Sequence, residues 1–495
     1  MRPENTCQSL RPVMFVGTGS DVGKSILNTA FCRIFKQDGY RPAPFKAQNM
    51  SLNSYATPDG LEIGRAQAVQ AEACELPCHT DMNPVLLKPT NHLSSQVVLH
   101  GKPVGNQSAR DYFLADNRKE LFAEVTSAFE RLNRRYNPVV LEGAGSISEL
   151  NLKERDITNM NMALAAQAAV YLVADIDRGG VFASVYGSIA LLTEEERALV
   201  KGIIINKFRG DISLFDEGRK MLEELTGKPV VGVVPYYTDI HIEEEDSVAL
   251  MLKNKHARQG QFNIAVVRLP CMSNYTDFDY LERHPEVNLY FTLDARELMK
   301  AEVIILPGSK NTQADLQALK ASGIAATILK AYEEGKKVIG ICGGYQMLGQ
   351  KISDPYGVEE GMEELEGLGL LPVETVMGKE KIIRQQVFRF LHQEEICRGY
   401  EIHMGISTLT ENVARPVVRE DGVEEGCYLN DRCWGSYMHG ILDNATVINT
   451  LLDGRDATGC TEDLPAFKAR QYDALAGHVR AHVDLEQIYN HLIIH

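Results

Sequence analysis

The sequence predicts an α/β protein built as two doubly wound domains with mainly parallel sheets. Two observations carry this. Continuous apolar, β-branched runs alternate with helical patterns in both halves, the pattern of strands covered on both faces of a parallel sheet. At 495 residues the chain is too long for one ordinary core, and a polar stretch from Glu243 to Gln261 separates the halves. The expected division is a first domain over 1–245, a linker over 246–260, a second domain over 261–455, and a C-terminal helical segment over 456–495 packing on the second domain.

In the first half the strand candidates are VMFVG (13–17), PVVLEGAG (138–145), VYLVADID (170–177), GIIINKF (202–208) and VVGVVPY (230–236). Ligands of such sheets collect at the carboxyl ends of the strands. The polar residues fall there: Glu142 after PVVL, Asp175 and Asp177 after YLVA, and Asn206-Lys207 after GIII. The second half repeats the alternation with FNIAVVRLP, AEVIILPGSKNT (301–312), KKVIGICGG (336–344) and a late strand ending CWGSYMHG (433–440).

The first strand runs into GTGSDVGKS, then a helical segment. Gly17, Thr18, Gly19, Asp21, Val22 and Gly23 form a loop whose backbone amides can cradle phosphates. Lys24 neutralises them, and the Ser25 hydroxyl can bind magnesium. Five residues separate Gly17 from Gly23 where the strict phosphate-loop pattern has four. The prediction is a nucleotide site.

VIGICGGYQMLG (338–349) places Cys342 between Gly340 and Gly344 at the end of an apolar run. That is the shape of a nucleophile elbow, a strained strand-to-helix turn that exposes a sulfur. Amides at the start of the following helix, Gly343 and Gly344, favour a thiolate and can bind a developing oxyanion. A buried structural cysteine in a glycine-rich turn is the alternative. His439 in SYMHG is the candidate base, and Gly308 and Ser309 in LPGSKNT sit at a strand end where backbone amides can line an oxyanion hole.

Charge and cysteines narrow the class. A formal charge of −16 argues against a nucleic-acid partner, and no apolar run approaches a membrane span. Ten scattered cysteines in a chain without an export-like N-terminus read as reduced thiols, so a cytoplasmic location is expected. Cys74, Cys78 and His79 form one tight cluster, but no second pair supports a metal site there.

The motifs carry resemblances. The longer glycine loop resembles the dethiobiotin-synthetase-like branch of P-loop enzymes, and EGAG resembles that branch's metal-binding turn, which implies Mg2+ on Ser25 and Glu142, with Asp21 a further candidate. The cysteine elbow with a strand-end histidine resembles the class I glutamine amidotransferases, which form a glutamyl thioester and release ammonia. Most of these carry a carboxylate two residues after the histidine. Here that position is Ile441, a departure shared with the subgroup acting on corrinoids, and Asp443 is a weak substitute. FKAQNMSLNSY (45–55) matches the signature of the cobyric acid synthase family, and LEGAGSISELNL, DIDRGGVFAS, NKFRGD, GYEIHMG and SYMHG extend the match along essentially the whole chain.

That resemblance implies an enzyme of vitamin B12 biosynthesis. It amidates the b, d, e and g carboxylates of adenosylcobyrinic acid a,c-diamide, consuming ATP and glutamine at each step through an acyl phosphate. It implies Asn206 at the nucleotide, and Lys46, Gln48, Asn49, Ser51 and Arg178 at the corrinoid, with Lys88, Lys153 and Arg155 offsetting repulsion between an acidic protein and an acidic substrate. A homodimer through the nucleotide domain is the assembly expected by family. The rival readings are the sister enzyme amidating the a and c carboxylates, and a regulatory P-loop ATPase, which would have no use for Cys342 and His439.

Overall fold

The computed structural model describes residues 8–90, 94–108, 112, 118–243, 250, 253–359, 361–452 and 464–494. The first domain is built on six strands: β1 (Val13–Gly17), β2 (Ala43–Phe45), β3 (Val139–Glu142), β4 (Ala169–Asp175), β5 (Val200–Phe208) and β6 (Val230–Pro235). They pair in the order β6-β5-β4-β1-β3-β2, every pair parallel. Every residue of β1, β3 and β4 is buried, as the unbroken apolar runs require. Because β1 lies between β3 and β4, the chain leaves it in opposite directions on either side. The crevice above the ends of these strands is the expected ligand position. The helix α1 (Lys24–Gln37) starts there.

The second domain contains β7 (Phe262–Val267), β8 (Val287–Thr292), β9 (Val303–Leu306), β10 (Lys337–Ile341), β11 (Val373–Phe390), β12 (Cys397–Leu409), β13 (Cys427–Asn430) and β14 (Cys433–Ser436). Its main sheet runs β8-β7-β9-β10-β14-β13, parallel except for the β13–β14 hairpin. β11 and β12 form a long antiparallel ribbon that the sequence reading had not separated into strands. Its register shifts between Met377 and Ile382, which breaks the alternation that would mark it. The ribbon reaches the first domain, where Tyr400 packs edge-on against Tyr55 at 4.7 Å.

One expectation is corrected. The C-terminal helices α2 (Leu464–His482) and α3 (Leu485–Leu492) pack chiefly on the first domain, while the start of α2 also meets the second, where Arg283 lies over the Phe467 ring at 3.8 Å. Tyr472, Leu475, Val479, Ile488 and Leu492 share a core with Phe15, Phe31, Phe35 and Tyr171. Arg33 binds Asp473 (2.7 Å), and the Asp484 amide donates to Val231 O (2.7 Å). Amphipathicity tells that a helix must bury a face, not which face receives it. Part of the proposed linker, 246–249 and 251–252, lies outside the described residues, as do 244–245 at the end of the first domain. Among the described residues no helix is long and apolar enough to cross a membrane.

Candidate active site

Each domain carries one candidate site. In the second domain β10 ends at Ile341, and Cys342 follows at φ 51°, ψ −109°, a strained conformation for a residue with a side chain. A short helix from Gly343 to Leu348 begins at once. The flanking glycines are sterically required. A Cβ on Gly340 would lie 2.6 Å from Gly344 O, and one on Gly344 would lie 1.9 Å from Leu306 O. Gly344→Ala is therefore expected to cost about 1–3 kcal/mol in urea unfolding as the elbow is pushed off β9.

Cys342 is buried, with Sγ 3.7 Å from Ile402 O. His439, also buried, hydrogen-bonds the Cys342 side chain. Its Nδ1 is 2.7 Å from Asp277 Oδ2, and Asp277 Oδ1 accepts from the Gly440 amide at 3.0 Å. With Nδ1 held by a carboxylate, Nε2 is left for the sulfur. Burial alone would push the imidazole toward its neutral form. The charges of Asp277 and Cys342 override this and raise its pKa to about 10. Tyr400 stacks on the ring at 5.3 Å and pairs with His439 through two backbone hydrogen bonds.

Asp277 is the residue sequence reasoning missed. It sits 162 residues before His439, in the NYTDFDY segment after β7, where no recognised spacing marks it. Asp277, not Asp443, holds Nδ1.

The turn after β9 completes this site. Ser309 Oγ donates to Asp315 Oδ2 (2.6 Å), and the Ser273 amide donates to Gly308 O (2.9 Å), so the turn is fixed from both sides. A Cβ on Gly308 would come within 3.0 Å of His439 Cε1, and one on Gly343 within 2.8 Å of Ser309 N. Gly308 thus abuts His439, and Gly343, next to Cys342, abuts Ser309.

In the first domain Gly23 takes φ 95° against the Asn206 amide, where a Cβ would lie 2.1 Å from Nδ2. Asn206 Nδ2 donates to Val22 O at 2.9 Å, bracing the loop. Lys24 Nζ donates to Gly19 O (2.8 Å) and Gly145 O (3.0 Å). Buried Glu142 accepts from Ser25 Oγ, Lys46 Nζ and Gln70 Nε2, each at 2.7 Å. Burial opposes its charge, but Lys46 and the hydrogen bonds prevail and hold its pKa below the ordinary value. Asp21 Oδ2 lies 3.3 Å from Arg178 Nη2, and Lys207 reaches both the Asp21 carbonyl and Asp175. A Ser hydroxyl and a carboxylate oxygen 2.7 Å apart beside a phosphate loop fit Mg2+, which takes few protein ligands and completes its shell with water and phosphate.

These residues line a cavity of about 1180 Å³, together with Gln48, Asn49, Ser51 and Arg178, and with Leu269, Pro270, Met272 and Tyr275 of the second domain. Ordinary ligand sites occupy about 300–1,000 Å³, so this one has room for more than a nucleotide. Gln48 Oε1 accepts from Tyr112 OH (2.6 Å), Asn49 Nδ2 donates to Gln67 Oε1 (3.0 Å), and Ser51 Oγ accepts from the Asn53 amide (2.9 Å).

Lys88, Lys153 and Arg178 are each paired with a carboxylate, and of the expected basic residues only Lys88 is absent from the cavity lining. Lys88 is buried against Glu62 (2.7 Å) and Ser54 (2.8 Å), Lys153 is paired with Glu196 (2.6 Å), and Arg178 is engaged by Asp21. Lys153, Arg155 and Arg178 still line the cavity. Cys74 and Cys78 are core thiols, Cys78 pushed up to about 12 by burial, and His79 Nδ1 accepts from the Asp81 amide. Among the described residues no group of three His, Cys, Asp or Glu side chains is placed to hold a metal.

Comparison with known proteins adds the family. Residues 13–249 match the CobQ/CobB/MinD/ParA nucleotide binding domain, and residues 263–447 match the CobB/CobQ-like glutamine amidotransferase domain. The chain is 64% identical over 490 residues to a cobyric acid synthase of Parabacteroides distasonis, covering 98% of this chain and 99% of the relative. It is 60% identical to one from Bacteroides fragilis, covering 97% and 98% of the two chains. A Syntrophobacter fumaroxidans relative of the same name is 48% identical, covering 97% of this chain and 98% of its own. With a nucleotide-loop domain and a cysteine–histidine amidotransferase domain joined in the same order along nearly its full length, the chain belongs to the cobyric acid synthase family of glutamine-dependent amidoligases.

Proposed function

We propose that the protein amidates the b, d, e and g side-chain carboxylates of adenosylcobyrinic acid a,c-diamide, with ATP activating each carboxylate and glutamine supplying the nitrogen. The observation that carries this reading is the shared cavity. Its walls come from both domains, and Met272 and Tyr275 separate it from the Cys342–His439 pair by only the few residues leading to Asp277.

At the amidotransferase site the Cys342 sulfur attacks the side-chain amide carbon of glutamine. The negative oxygen that forms faces the amides of the Gly308–Ser309 turn and the Gly343 helix start. His439 gives its Nε2 proton to the departing nitrogen, so ammonia leaves and a glutamyl thioester remains. The same imidazole then takes a proton from water, which cleaves the thioester to glutamate. At the nucleotide site the substrate carboxylate displaces ADP from the γ-phosphorus of ATP, giving an acyl phosphate. Ammonia attacks the acyl carbon, and phosphate leaves. Lys24, released from Gly19 and Gly145, stabilises the transferring phosphoryl group, and Lys46 neutralises the substrate carboxylate. Ser25 and Glu142 would hold Mg2+, which would supply charge neutralisation at the phosphates.

Glu142→Gln is expected to weaken nucleotide binding about tenfold in the presence of Mg2+ and far less in EDTA, read by calorimetry. Equal losses in both conditions would remove Glu142 from the metal set. The function itself is tested by mass spectrometry of adenosylcobyrinic acid a,c-diamide with Mg-ATP and glutamine. Four successive hydroxyl-to-amine exchanges requiring both co-substrates support it. Diamidation of cobyrinic acid instead would assign the sister reaction.

A further inference from the structure

The segment that follows the Lys46 loop ends in a reciprocal clasp across the domain boundary. Asn53 Oδ1 accepts from the Tyr275 amide at 3.2 Å, and Asn274 Oδ1 accepts from the Ser54 amide at 3.0 Å. Both partners are backbone N–H groups, so each asparagine must present its oxygen. All four residues are buried. Asn274 sits in the left-handed region at φ 53°, ψ 44°, a conformation that persists where surroundings enforce it.

The clasp is one short turn from the chemistry. The Asp277 amide donates to Asn274 O at 3.0 Å, opening the 3₁₀ turn Tyr275–Phe278. Asp277 commits one oxygen to His439 and the other to Gly440. A second contact runs in parallel, Tyr55 to Tyr400 at 4.7 Å and Tyr400 to His439 at 5.3 Å. Residues 53–55 of the first domain therefore touch both segments that hold the imidazole. At its other end the same stretch begins with Lys46, bound to Glu142 in the nucleotide site.

We propose that Asn53 and Asn274 are positioning residues, setting Asp277 on His439 from across the boundary and so tying the reactivity of Cys342 to the conformation of the 46–54 loop. This rests on the amidotransferase reading of Cys342. Loss of the clasp frees the 274–278 turn, and a carboxylate displaced by a fraction of an ångström no longer holds the imidazolium opposite the sulfur.

The test is alkylation of Cys342 in the full-length protein by an electrophilic glutamine analogue, without nucleotide, as a function of pH. Asn274→Gly keeps the left-handed backbone but removes the acceptor, and Asn274→Asp keeps both. The glycine variant is expected to label about 10–100-fold more slowly. Its alkaline limb should move to lower pH, because His439 loses the carboxylate that raises it. The aspartate variant should label within about twofold of wild type, and Asn274→Gly should retain ammonia-dependent amidation to a similar degree. Wild-type labelling and pH profile in Asn274→Gly would overturn the proposal, as would an equal fall in Asn274→Asp or a parallel loss of ammonia-dependent amidation. A wild-type protein that the analogue fails to label would overturn the reading of Cys342 itself.

Discussion

Alanine at Cys342 is expected to abolish glutamine-dependent amidation while ammonia-dependent amidation continues near the wild-type rate. In the proposed mechanism Cys342 is the glutaminase nucleophile, and removal of a nucleophile that forms a covalent intermediate costs on the order of 10³–10⁶ in rate. In the proposed reaction the acyl phosphate forms in the cavity that Met272 and Tyr275 help to line, and needs only ammonia to react. The rescued activity should rise with pH as ammonium gives up its proton. Alanine also meets the same backbone demand as cysteine at φ 51°, so the elbow is not asked to change shape. Steady-state assays with either nitrogen source decide the matter. Loss of both activities in the same proportion would mean that Cys342 serves the fold rather than the chemistry.

Asp277→Asn should lower glutamine hydrolysis by about 10²–10⁴, because an amide can neither fix the tautomer of His439 nor stabilise its charge. The pH dependence separates this from simple damage. In the native protein burial works against the imidazolium, and the Asp277 and Cys342 charges hold the proton to about pH 10. Without Asp277, Cys342 alone opposes burial and the alkaline limb of glutamine hydrolysis moves down. Stability follows the same linkage. An unfolded histidine releases its proton near pH 6.5. The folded group's contribution is therefore complete below that value and is lost as pH climbs toward about 10. The Asn variant should lose the part due to Asp277, with the largest deficit below pH 6.5 in denaturant titrations. Unchanged hydrolysis with an unchanged alkaline limb would remove Asp277 from the mechanism.

The difference between what the chain announced and what it concealed follows from locality. Gly17–Ser25 and Gly340–Gly344 are contiguous, so both turns were legible as motifs, although only Gly17 and Gly340 answer steric demands within a few residues of themselves; Gly23, Gly343 and Gly344 answer Asn206, Ser309 and Leu306. Glu142 and Asn206 were found because strand ends are where a parallel sheet gathers ligands. Asp277 was not, since its meeting with His439 depends on how β7 and β14 are placed by the whole second sheet. Lys88 was expected among the cations that offset repulsion between an acidic protein and an acidic substrate. Its burial became apparent only with Glu62, which Lys381 from β11 also reaches at 2.5 Å. Likewise the moment of the last helix disclosed a buried face but not its destination.

That destination has a consequence for biogenesis. The nucleotide domain is interrupted: its sheet is finished by residue 235, yet the core beneath α1 closes only when Tyr472 to Leu492 arrive. The glutaminase half, spanning 262–436 in its strands, is therefore a unit inserted into an unfinished one. On the ribosome the domain made first is the last to be sealed, and a truncation at the carboxyl end strikes the ATP half of the enzyme while leaving the glutaminase strands whole.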